Sequence, residues 1–244
     1  SLLETLPPRD ITLLFRLLPK ELAAETFTFM DSDTQMHLIS GFSDKELREI
    51  LDEIYVDDTV DIIEEMPANV VSRILKNTDS ETRKQINEIL DYPADSAGRV
   101  MTTEYVYLHK TMTTKEALEW IRKVGVVKET IYTCYVTVAR KLIGFVTILD
   151  LVTADEDATI ESIMDTNIIY VYTHEDREDV AKKFSKYDFL AMPVVDIEKR
   201  MVGIITLDDV LDVIAEENEE DFSKMAAMQP IEDSYFKTSV FTHA

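Results

Sequence analysis

The sequence predicts an α+β multidomain protein: an all-α superhelical domain of helical repeats, then a tandem pair of α/β units that ends in an acidic helix. Three observations predict it. Short helical blocks recur at an offset of 48 residues before residue 90, and a strand-rich unit recurs at an offset of 59 after residue 100. The stretch from Asp208 to Asp221 then holds eight carboxylates in fourteen residues, with no basic residue among them.

The helical blocks come first. Their start signals are Pro8, "DSDT" at Asp31, "SDKE" at Ser43, "VDD" at Val56, Pro67 and "TDSET" at Thr78. "SDKE" and "SETRK" each place a capping hydroxyl before a first-turn acid. About seven blocks of ten to fourteen residues follow. Helices so short are marginal alone and must stack to survive. "DITLLFRLLP" from Asp10 and "DTVDIIEEMP" from Asp58 align at the 48-residue offset, with Pro19 on Pro67 and "DSDT" on "DSET". A superhelical stack of helical hairpins with a unit of about 24 residues follows.

From residue 100 the texture becomes β-branched. The helical block "TTKEALEWIRKV" precedes the runs "TIYTCYVTV" and "LIGFVTILDLV". The same order recurs in "HEDREDVAKKFSKYD", "FLAMPVVD" and "MVGIITLDDVL". Gly144 aligns with Gly203, and upstream Met101 matches Met164. Each copy reads as entry segment, helix, strand, turn, strand and helix. The divisions expected are 1–91 for the helical domain, 92–157 for the junction and first unit, and 158–222 for the second unit, with 223–244 following.

Two units that each end in Gly-Φ-Φ-Thr-x-x-Asp resemble tandem CBS domains (Φ, apolar). That resemblance implies a pseudo-twofold pair that dimerises through the CBS domains, with clefts that often hold adenine nucleotides such as ATP. Thr147 and Asp150 would be the nucleotide contacts, matched by Thr206 and Asp209 in the second copy. The same Thr/Asp pairs also suit helix capping. With the helical domain, "SAGRVM" at the junction and "YDFLAMPVVD" in the second unit, the whole chain resembles the cytosolic part of an MgtE-type magnesium channel. The resemblance implies a membrane pore domain in the same polypeptide, reached by a connecting plug helix that residues 223–244 would start, and a place at the cytoplasmic face of the cell membrane.

Three acidic clusters are legible without that resemblance. Asp57 and Asp61 lie four apart on one helical face beside Asp58, where like charges repel unless a cation bridges them. Asp176, Glu178 and Asp188 surround a helix start, where first-turn acids are commonplace. Asp209, Asp212, Glu216 and Glu220 fall within about 80° of one another on a helix, with Glu217 flanking. A solvated helix normally alternates charge sign, and this one does not. A solvated acidic face and a cation site both remain open on the residues alone.

Four scattered histidines and one cysteine give no soft or imidazole site, so a hard cation such as Mg2+ suits these surfaces. The resemblance implies specific ligands: Glu25, Asp57 and Asp61; the carbonyl of Gly98; Asp176, Glu178, Asp188 and the carbonyl of Ser185; and Asp209, Asp212, Glu217 and Glu220. Leu149, before Asp150, departs from the arginine of many relatives and weakens a nucleotide site.

The net charge of −23 opposes nucleic-acid binding and docking on anionic lipid. The single Cys134 forbids an internal disulfide and suits a reducing compartment. No uncharged run exceeds ten residues, and the opening residues show no basic segment followed by an apolar one, so no signal peptide is expected. The sequence shows no phosphate-binding glycine loop and no His-Glu-x-x-His motif, which argues against an enzyme. Its rivals are a nucleotide-sensing regulator, a soluble enzyme and a helical scaffold with a solvated acidic surface.

Overall fold

The computed structural model of the protein describes residues 7–187 and 189–228. Seven helices build its first part: α1 (Pro8–Phe15), α2 (Lys20–Thr28), α3 (Ser32–Gly41), α4 (Asp44–Leu51), α5 (Val56–Glu65), α6 (Ala68–Asn77) and α7 (Ser80–Leu90). They begin every twelfth residue, at 8, 20, 32, 44, 56, 68 and 80. The 48-residue offset therefore superimposes α1, α2 and α3 on α5, α6 and α7.

The caps explain this regularity. Pro19 and Pro67 precede α2 and α6 with extended backbones, and Asp31 accepts a hydrogen bond from the Thr34 amide. Asp79, its repeat partner, accepts from the Glu81 and Thr82 amides. Ser43 and Glu46 close a reciprocal capping box. Each such cap stabilises its helix by about 1 kcal/mol. Helices pack on those two places along, α1 on α3, α2 on α4, α4 on α6 and α5 on α7. Leu38, Leu47, Val60, Ile74 and Ile86 are wholly buried between them.

The first α/β unit holds β1 (Tyr107–Leu108), α8 (Thr114–Val124), β2 (Thr133–Val138), β3 (Lys141–Thr147) and α9 (Ile148–Thr153). The second holds α10 (Ile160–Ile163), β4 (Val171–Tyr172), α11 (Arg177–Tyr187), β5 (Ala191–Val195), β6 (Met201–Thr206) and α12 (Leu207–Met228). In each sheet a two-residue edge strand pairs parallel with the first long strand, which pairs antiparallel with the second. The short parallel edges β1 and β4 are absent from the sequence reading, because two residues are too few for a period to be seen.

The two units exchange edges. Thr102, before the first unit, bridges Ile204 of β6, and Asp165, before the second, bridges Phe145 of β3. Met101 packs against Gly203 and Met164 against Gly144. The repeat partners seen in the sequence thus meet crosswise.

A single buried core runs from Ile11 through Ala97 and Met101 to Val210, joining the helical domain to the second unit. The first unit closes around a core of its own, including Leu108, Val136 and Leu151. Cys134 lies within it, and burial pushes its thiol up to about 12, where it is inert.

Arg99 fastens the junction. Its guanidinium donates to the carbonyls of Leu90 and Tyr92 at 2.6 and 3.2 Å, and pairs with Glu64 of α5. α12 spans Leu207–Met228, so residues 223–228 of the expected connecting helix are helical and continuous with it. The rest of the expected connecting helix, 229–244, lies outside the described residues.

Candidate functional site

Between the helical domain, the first unit and α12 lies a cleft of about 1130 Å³. Fourteen of the described residues lining it are Asp or Glu, and none is Lys, Arg or His. α5 supplies Asp57, Asp58, Asp61 and Glu65; α12 supplies Asp208, Asp209 and Asp212; α2 supplies Glu21 and Glu25. Glu104 and Glu129 come from loops of the first unit.

The local sequence dictates this placement. The first turn of α5 carries Asp57 and Asp58, while Val56, Val60 and Ile63 turn the opposite side into the core. In α12 the pair Thr206/Asp209 sets the start: the Thr206 amide and hydroxyl donate to Asp209 Oδ2 at 3.1 and 2.6 Å. Val210 and Val213 are buried, which leaves Asp209 and Asp212 on the cleft side.

Electrostatics records the crowding. Burial, then the charges of Asp209 and Asp58, holds Asp57 well above the ordinary carboxylate range. Burial followed by Asp209 pushes Asp58 up to about 6 and Asp61 to about 7. Burial, then Asp209 and Asp208, pushes Glu129 up to about 7. Asp209 and Asp212 are raised too, chiefly by burial. Asp57 is 9% exposed, and its Oδ1 has no hydrogen-bond partner; neither has Glu129 Oε2. A first-turn acid that merely favoured the helix N-terminus would not need such a position.

These features fit a hard cation, because buried charges of one sign demand a partner. Among the described residues no three carboxylates, histidines or cysteines stand as a ready-made direct metal cluster. The donor set therefore suits an ion that keeps much of its water, as magnesium does.

Of the ligands expected from sequence, Glu25, Asp57, Asp61, Asp209 and Asp212 line this one cleft. The others lie elsewhere. Asp176 Oδ1 accepts from the Glu178 amide at the start of α11, and Glu178 pairs with Lys182 at 3.0 Å. Ser185 is exposed on the same helix. Gly98 is buried nearby, its amide donating to the Thr173 carbonyl at 2.8 Å, while Ala97 bonds Glu175 and Ser96 bridges Asp176. Glu217 is engaged with Arg177 at 3.2 Å, as is Glu216 at 2.8 Å. Asp188 and the side chain of Glu220 lie outside the described residues.

At the other candidate site, Thr147 donates to Asp150 Oδ2 from its amide and hydroxyl at 2.8 and 2.6 Å. The Asp150 amide returns a bond to the Thr147 hydroxyl at 3.1 Å, completing a capping box. Leu149 between them is exposed. Glu104 and Glu129 were not singled out by sequence, since "VKET" reads as an ordinary charged loop.

Comparison with known proteins agrees with this architecture. Residues 1–95 match the family model described as the MgtE intracellular N domain, and residues 97–157 and 160–216 match the CBS domain. The magnesium transporter MgtE of Thermus thermophilus is 36% identical over 93% of this chain and 54% of its own length. That of Bacillus subtilis is 29% identical over 100% of this chain and 56% of its own. The chain thus spans about half the length of the curated relatives it matches. Among solved structures, the cytosolic domain of the Mg2+ channel MgtE in complex with ATP superimposes with a TM-score of 0.76 at 35% identity, covering 87% of this chain and 92% of that one. The soluble part of a magnesium transporter gives 0.82 at 31%, covering 88% and 85%. These long-matching relatives are magnesium transporters and their cytosolic parts, not enzymes. No helix among the described residues is long and apolar enough to cross a membrane. A superhelical domain of seven described helices, two CBS units and relatives that match along almost the whole chain lead to one conclusion: the chain belongs to the MgtE family, as its intracellular N domain followed by its pair of CBS domains.

Proposed function

We propose that this chain is the cytosolic magnesium sensor of a magnesium transporter, gating a pore that follows it in the same polypeptide at the cytoplasmic face of the membrane. The observation that carries the reading is the three-sided acidic cleft, in which a buried carboxylate oxygen of Asp57 has no partner. Asp57, Asp58 and Asp61 on α5 face Asp208, Asp209 and Asp212 on α12. Each bare pair at about 4 Å costs roughly 1–4 kcal/mol at effective dielectrics of 80 to 20. Without cation these walls push the helical domain, the CBS pair and α12 apart. Bound magnesium supplies the positive charge that lets the walls approach. The closed arrangement gains only the difference in cation affinity between the two states. Through α12 that difference reaches the pore, so that cytosolic magnesium limits its own entry.

Asp176, Glu178, Ser185 and Gly98 form a second candidate region where the junction crosses the start of α11. Exposed Leu149 and Val152 on α9, with Leu207 and Leu211 on α12, offer an apolar face for a homodimer through the CBS domains. A solved relative is described as a complex with ATP. Here the Asp150 carboxylate caps its own helix, and the neighbouring Leu149 offers no charge to a phosphate, so nucleotide sensing stands second to magnesium sensing.

Small-angle scattering and limited proteolysis across a magnesium titration test the reading. Compaction at millimolar magnesium, absent in sodium chloride of matched ionic strength, is expected; equal behaviour in the two salts would overturn it. Calorimetry with ATP measures the second reading separately.

A further inference from the structure

Two of the cleft's buried oxygens face no hydrogen-bond partner, and they belong to different domains: Asp57 Oδ1 on α5 and Glu129 Oε2 on the first CBS unit. The local framework holds them at one corner. The Tyr55 hydroxyl donates to the Lys128 carbonyl at 3.4 Å, which fastens the start of α5 beside Glu129. The Glu129 amide donates to the Glu104 carbonyl at 2.9 Å, so these two acids leave adjacent backbones. Glu104 Oε2 is itself aimed by three donors, the Thr102 hydroxyl at 2.8 Å, the Thr103 amide at 3.1 Å and the Thr103 hydroxyl at 3.2 Å.

We propose that Glu129 and Glu104 of the first CBS unit, with Asp57 of α5, form a further cation subsite that takes a hydrated divalent ion of magnesium's kind. The subsite rests on the reading that the cleft takes divalent cations. It adds the first CBS unit as a third party to an arrangement otherwise carried by α5 and α12. The ion is hydrated because, among the described residues, no three carboxylates stand ready to ligate it directly. Magnesium sheds its water reluctantly, and its water ligands are hydrogen-bond donors. Asp57 Oδ1 and Glu129 Oε2 are acceptors of the kind those waters need. Among the described residues no Lys, Arg or His lines the cleft to serve instead. An anion would be repelled by these carboxylates, and a ligand without hydrogen-bond donors would leave them unsatisfied.

The test uses the full chain and two probes, magnesium and the exchange-inert hexaamminecobalt(III), which mimics a hydrated ion without ligating directly. Glu129→Gln keeps shape and removes charge, and Glu119→Gln, exposed on α8 and away from the lining of the cleft, is the control. For Glu129→Gln the magnesium midpoint of compaction is expected to rise about tenfold, the lower edge of what loss of an outer-shell partner costs. The control should move less than twofold, and both variants should keep the parent's circular dichroism. Hexaamminecobalt(III) should compact the parent chain and be displaced by magnesium. If the parent compacts but Glu129→Gln responds within twofold of it, the subsite is overturned and the sensor reading stands. If the parent does not compact at all, the sensor reading falls and takes the subsite with it. If hexaamminecobalt(III) leaves the parent open while magnesium closes it, the ion is directly ligated and the hydrated subsite is wrong.

Discussion

Arg177 Nη1 donates to Glu216 Oε2 at 2.8 Å, tying the first residue of α11 to the middle of α12. The same guanidinium reaches Glu217 at 3.2 Å and, from Nε, Asp95 at 3.8 Å. One protein cation therefore offsets part of the charge in the middle of α12, while among the described residues none lines the cleft that the acids at its start face.

Arg177→Gln should loosen the middle of α12. Amide hydrogen exchange around residues 212–218 is expected to quicken about tenfold, with a global loss of about 1–2 kcal/mol, modest because Glu216 is largely exposed. Unchanged exchange there would mean that the buried Val210 and Val213 hold the helix without help.

Asp57→Asn should separate stability from sensing. Removing the charge of a buried, unpartnered carboxylate is expected to stabilise the magnesium-free chain by about 1–3 kcal/mol, the usual size of such a penalty. The same substitution should weaken the magnesium-induced rise in melting temperature. Denaturant titration with and without magnesium reads both effects.

The melting temperature should depend on pH in a direction opposite to that of an ordinary salt-bridged protein. Asp58 at about 6, with Asp61 and Glu129 at about 7, bind protons more tightly in the folded chain than in the unfolded one. Their contribution favours folding near the ordinary carboxylate pKa of about 4 and is lost as pH rises toward 7. The magnesium-free chain should therefore melt higher at pH 5.5 than at pH 8. Magnesium should flatten this slope, and its affinity should fall as pH drops through about 7, because protons compete for the same oxygens. Glu46, held down at about 2 by Arg16 and the Ser43 cap, acts in the reverse sense, and only below about 4.5.

Gly203→Ala should destabilise the CBS pair, since its new Cβ would stand 2.7 Å from both Met101 Sδ and the Thr102 carbonyl oxygen. A loss of about 1–3 kcal/mol is expected, as for other overpacked sites. Gly144→Ala, with Met164 Sδ at 2.8 Å and the Asp165 carbonyl oxygen at 3.0 Å, should behave alike. Thermal melts of both variants check this.

The helical repeat was legible because its caps are local: Pro19 and Pro67, or Asp31 and Asp79, act within a few residues of themselves. The acidic face of α12 was legible only in part. Rotation about the axis groups Asp209, Asp212 and Glu216, but each residue also advances 1.5 Å along the helix. That advance carries Glu216 out of the cleft and up to Arg177. Glu104 and Glu129 were invisible for another reason. Nothing in their own loops distinguishes them, and their chemistry arises only where α5 and α12 come close.

The edges exchanged between the CBS units set a lower limit on what can be transplanted. Thr102 completes the sheet of β6, and Asp165 that of β3. A cut in the linker between the two units would release two fragments, each carrying a strip of backbone made for the other and missing the strip it needs. Grafting one unit into a foreign protein should yield an aggregating half, whereas grafting residues from Ala97 onward keeps both edges closed. The pair, not the single repeat, is the smallest part that recombination can move intact.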